Sequence, residues 1–160
     1  MKRFFLLAAT ILCLTPGIAA CREPPDFGIY LADTGQLVLS GRHIQSYDTA
    51  SYTLELNNAG IEKWNSFITY TTPPKLRDCL FSREFVLRID GREVCRGKFW
   101  SRASSALCPD VAIYESLFRM DAEHRELRVE FGYLSTVPPS EENRISAALA
   151  GYFQGRGLPG

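Results

Sequence analysis

After residue 26 the chain alternates apolar and polar positions with a period of two over several short stretches. Phe27, Ile29 and Leu31 alternate with polar or small residues, as do Leu37 and Leu39. Tyr52, Leu54 and Leu56 alternate with Ser51, Thr53 and Glu55, and Leu127, Val129, Phe131 and Tyr133 with Glu126, Arg128, Glu130 and Gly132. Successive side chains of a strand point to opposite faces, so each stretch predicts a strand with one buried face. Val111 to Ser116 is a further candidate strand.

The run from Phe85 to Phe99 predicts a β-hairpin. Asp90-Gly91 sits between two alternating segments, and both positions of a two-residue hairpin turn want positive φ. Phe85, Leu87 and Ile89 are expected to face inward on the first strand, with Cys95 and Phe99 inward on the second. Arg92, Arg96 and Lys98 are then expected outward together. A strict two-residue turn would place Val94 opposite Leu87 instead, so the pattern requires a bulge or a longer turn.

Helical spacing occurs twice. Asn58 is placed to cap a helix from Ala59 to about Thr71, with Ile61, Trp64, Phe67 and Ile68 on one side. Ser140 is placed to cap a second, from Glu141 to about Phe153, whose acidic first turn suits the helix dipole. Ile145, Leu149 and Tyr152 line its apolar face. Pro24-Pro25, Pro73-Pro74 and Pro138-Pro139 mark boundaries, since proline donates no N–H and restricts its predecessor. The expected fold class is α+β: a twisted, mostly antiparallel sheet with two helices packed on one face.

The first residues follow another pattern. Lys2 and Arg3 precede an apolar run, Phe4 to Leu14, and then Ile18-Ala19-Ala20-Cys21. A cationic start, a short apolar stretch and small residues before a cut form a secretory signal. The run is shorter than the roughly 20 residues a membrane span needs. Two cuts compete. A lipoprotein peptidase would cut before Cys21 and leave it carrying a diacylglycerol; an ordinary signal peptidase would cut after Ala19 or Ala20 and leave a plain cysteine. The expected layout is a signal over 1–20, a tether over 21–26, one α+β domain over 27–154 and a flexible tail over 155–160.

Losing Lys2 and Arg3 takes the formal charge from zero to −2, which argues against a general nucleic-acid binder. Against that balance, the segment from Lys75 to Arg102 holds eight Lys/Arg and four Asp/Glu. Arg88, Arg92, Arg96 and Lys98 are the candidate contact for an acidic envelope protein or anionic lipid; the competing reading is a solvated strand face. If Cys21 is lipidated, Cys79, Cys95 and Cys108 remain; if not, four cysteines allow three pairings. A Cys79–Cys108 disulfide is favoured, because both lie in loops beside the hairpin.

Candidate chemistry is sparse. His43 and His124 sit in no recognisable constellation, and Ser104-Ser105 reads as a turn or cap rather than a nucleophile. Glu62 and Asp90 read as helix surface and turn. No metal, cofactor or phosphate-binding motif stands out.

The order of His43-Ile44-Gln45-Ser46, the strand Tyr52 to Leu56, Gly60, an amphipathic helix and Phe85 to Val94 resembles the periplasmic P1 head subdomain of the SecD/SecDF translocation factors, over roughly Leu37 to Lys98. His43 stands where that family has an acidic residue. The resemblance implies an α+β head that contacts substrate or partner and carries no catalytic residues. Proton-driven export does not carry over, because no transmembrane helix flanks the segment. The expected protein is therefore a non-enzymatic bacterial envelope lipoprotein, anchored by Cys21 on the periplasmic side of a membrane, that binds another envelope component. The alternative is a secreted, disulfide-containing small-ligand binder or inhibitor without lipid.

Overall fold

The computed structural model describes residues 26–69, 79–115, 119–133 and 136–158. Cys21, the signal, the tether before Asp26, the Pro73-Pro74 pair, Lys75, Arg77 and Ser116 lie outside them. The elements run β1 (Phe27–Leu31), β2 (Leu37–Ser40), a 3-10 turn (Gly41–His43), β3 (Ile44–Asp48), β4 (Thr53–Leu56), α1 (Asn58–Asn65), β5 (Glu84–Ile89), β6 (Arg92–Ser101), β7 (Val111–Glu115), β8 (Glu126–Phe131) and α2 (Pro139–Gly155). They form an 8-stranded sheet in the order β2-β1-β5-β6-β7-β8-β4-β3. Every ladder is antiparallel except β6 with β7. The fold is α+β, as the alternation predicts.

Strand order alone dictates a curled sheet. β2 and β3 lie at its two ends, yet only the turn Gly41–His43 separates them in the chain. Three residues span about 10 Å, so the two ends must approach and the sheet is nearly a barrel. Cross-strand partners share a face, which puts Phe27 with Ile89, Ile29 with Leu87 and Leu39, and Phe99 with Ile113 on the concave side. Both helices pack there. Trp64 of α1 meets Phe99 at 5.8 Å between ring centroids, and Phe153 of α2 meets Phe27 and Tyr47, both at 5.2 Å. Fully burying each large apolar side chain contributes about 1.5–3 kcal/mol.

Several boundaries differ from the sequence expectation, each for a local reason. The cap of α1 is Asn57, whose side chain accepts from the Gly60 N–H. The helix ends at Asn65, whose side chain is held to the 120 backbone, donating to the Met120 carbonyl at 2.9 Å and accepting from its N–H at 2.8 Å. α2 is capped by Pro138 with Pro139 in its first turn, where the missing N–H costs nothing. Strand β8 ends at Gly132, at φ 74°, where a Cβ would collide with the Thr136 hydroxyl and the Pro109 carbonyl. β3 is not among the stretches that alternate in sequence. A bulge between Ile44 and Ser46 breaks its alternation, so its buried residues Ile44 and Tyr47 are three apart.

Candidate partner-binding surface

The β5–β6 hairpin forms as the sequence demands. Its turn is Asp90-Gly91, at φ 50° and 74°. The register pairs Leu87 with Cys95 but Arg88 with Glu93, leaving Val94 as the extra residue of a bulge. A bulge leaves the extra residue outside the ladder; the Arg144 guanidinium of α2 donates to the Val94 carbonyl at 2.6 Å. The same guanidinium pairs with Glu141 and, by donating hydrogen bonds to it, holds that carboxyl below its usual range.

The bulge also divides the four candidate cations. Arg96 pairs with Val86 and Lys98 with Glu84, on the convex face that Arg88 shares. Arg92 pairs with Ile89, which places it on the other face, at the tip. The expectation that Arg92, Arg96 and Lys98 point the same way is therefore corrected. Their electrostatic settings differ as well. Arg96 is paired with Glu93 at 2.8 Å and Lys98 with Asp110 at 3.0 Å. Arg83 and Arg102 are likewise paired, with Asp33 and Glu130. The Asp110 carboxylate raises the Lys98 ammonium above its ordinary value. Arg88 only lies over the Tyr30 ring, 5.5 Å from its centroid, and Arg92 forms no ion pair among the described residues.

Two ends of the hairpin can be distinguished. At the tip, Asp26, just before β1, ties that strand to the hairpin turn and to α2. Its carbonyl accepts from the Asp90 N–H at 2.6 Å, its carboxylate accepts from the Tyr152 hydroxyl at 3.1 Å, and it pairs with Arg156. The Arg156 guanidinium stacks on the Tyr152 ring, and burial pushes the Tyr152 phenol up to about 12. Residues expected in a flexible tail thus include a pinned arginine.

At the other end, a groove of about 450 Å³ opens between Lys98 and Arg96 of β6, the Pro109-Asp110 loop and the segment leading into α2. The Thr136 hydroxyl donates to the Pro109 carbonyl at 2.6 Å, and the Tyr133 N–H to the Cys108 carbonyl at 3.0 Å. These bonds join the two segments that carry Leu107 and Tyr133, exposed at 58% and 47%, the large apolar side chains most open to solvent among the described residues.

The expected Cys79–Cys108 bridge is not formed; no disulfide joins Cys79, Cys95 and Cys108. Cys79 and Cys95 belong to the main core, whereas Cys108 is buried apart from it, beside Lys98 and Asp110. Burial pushes the Cys95 thiol up to about 12. His43 is buried, and its Nδ1 accepts from the Ser40 N–H at 3.0 Å. Burial, with Arg42 and Lys63 nearby, lowers its pKa. Ser104 accepts from the Ala106 N–H and lines a pocket with Trp100, Tyr114 and Glu130 that contains no histidine. His124 is exposed in a turn closed by Asp121. No cluster of metal-binding side chains forms among the described residues, and no helix there is long and apolar enough to cross a membrane.

No family model, curated protein or solved structure matches the chain.

Proposed function

We propose that the protein is a non-enzymatic envelope lipoprotein, tethered through Cys21, whose α+β domain binds another envelope component at the groove end of the hairpin. The observation that carries this reading is that exposed Leu107 and Tyr133 lie in the segments that also supply Pro109 and Thr136 to a groove edged by ion-paired Arg96, Lys98, Asp110 and Glu141. Exposed apolar side chains next to a polar, charge-balanced groove suit recognition of another protein surface. Groups that already neutralise each other do not demand a strongly charged ligand. The resemblance to the SecD P1 head supports the same partner-contacting role, and the lipoprotein-type signal supports the tether.

Two measurements test it. Metabolic labelling with a clickable fatty acid should mark the wild type and leave Cys21→Ser unmarked. A photoreactive residue in place of Leu107 should give one discrete protein adduct in the intact envelope, reduced when Arg96→Glu and Lys98→Glu are added. An equal adduct from Glu123, in the exposed Asp121–His124 turn, would sink the site.

A further inference from the structure

The tip of the hairpin has a setting that the groove end lacks. Asp26, the first described residue, is bound there to the Asp90 N–H, Tyr152 and Arg156. Gly41 lies against the Tyr152 hydroxyl, and the Arg156 guanidinium is close by, so the neighbouring Arg42 belongs to this pole too. Of the cations here, Arg156 is neutralised by Asp26. Arg42, Arg88 and Arg92 form no ion pair among the described residues, and Asp90 is the nearby acid without one. Glu93, opposite Arg88, is turned to Arg96. The pole therefore keeps an excess of exposed positive charge in a domain whose other basic residues on this hairpin are paired.

We infer that this pole faces the membrane, and that Arg42, Arg88 and Arg92 hold it against anionic lipid headgroups. The inference rests on the reading of Cys21 as the lipid attachment. Cys21 precedes Asp26 by five residues, and an extended chain of that length reaches at most ~18 Å. The tip is thus held within that reach of the surface, while Lys98 lies roughly 17 Å further along the hairpin, five ladder steps at about 3.3 Å each. Screening cuts electrostatic attraction beyond about 8 Å at physiological salt, so only cations at the tethered pole act on the headgroups. Each adds about fivefold to partitioning onto an anionic leaflet. The groove is left facing away, open to a partner.

The test uses the full lipidated protein in phosphatidylethanolamine vesicles doped with a phosphatidylglycerol whose headgroup is photoreactive. After irradiation and digestion, adducts should concentrate on residues 41–42 and 88–93 and be scarce on 105–110. Exchanging the lipid for a photoreactive phosphatidylcholine, or introducing Arg42→Gln, Arg88→Gln and Arg92→Gln, should lower the tip's share at least about fivefold, the worth of one arginine. The wild-type map stands by itself should the triple variant fold poorly. Adducts spread evenly, concentrated on 105–110, or indifferent to headgroup charge would overturn the orientation and leave the tether standing. Intact mass of the membrane-bound protein reads the tether separately: without a diacyl adduct on Cys21, the reading and the orientation fall together.

Discussion

The two ends of the β5–β6 hairpin are built from the same residue types and behave as opposites. At the groove end, Arg96 and Lys98 are held by Glu93 and Asp110, and the surface offers Leu107 and Tyr133. At the tip, Arg88 and Arg92 are left exposed while aromatic rings of α2 lock the backbone around Asp26. A count of charges along the strands treats these ends alike. What separates them is which carboxylates the fold delivers, and one bulge at Val94 that turns Arg92 away from its neighbours.

The sharpest way to break this contrast is to truncate each end. Phe153→Ala removes the ring that packs on Phe27 and Tyr47, and should cost about 3–5 kcal/mol. Leu107→Ala, at the exposed end, should stay within about 0.5 kcal/mol. Urea unfolding decides; similar losses at both ends would mean that the tip is not the anchored one.

A middle-sized effect is expected at the bulge. Arg144→Leu leaves the Val94 carbonyl without its donor, and should destabilise by about 1–3 kcal/mol. It should also release Glu141. The folded-state value of that carboxyl lies below 4.5, so its pairing stabilises the protein above that pH and is lost as the pH falls through the lowered value. NMR titration should find the Glu141 carboxyl shifted upward in the variant, and the gap from wild type should narrow in acid. An unmoved Glu141 would show that Arg144 serves the backbone alone.

The smallest effect belongs to the rim. Asp110→Asn breaks the pair with Lys98, whose side chain is one-third exposed, and should change stability by about 0–1 kcal/mol. A larger loss would make the groove a structural element rather than a free surface.

The hairpin, its inward Phe85, Leu87, Cys95 and Phe99, and its bulge were legible because alternation and an Asp-Gly turn are local signals. β3 was not, because its own bulge hides the period. Cys79 and Cys108 do not pair, because nearness to one hairpin in sequence does not say on which side of the sheet a thiol is buried. Helical spacing makes Tyr152 one more apolar-face residue, and nothing local distinguishes Arg156 from a tail. Their junction with Asp26 spans the whole domain, and nothing local announces it.

That junction has a topological consequence. Because residues 26 and 156 meet in one ion pair, the domain is a ring whose ends are neighbours. A short linker could close it, and a new opening in the Asp121–His124 turn would leave every strand pairing intact. Chain order and spatial address are then separable: a tether grafted after Arg156 would present the same pole as one placed before Asp26.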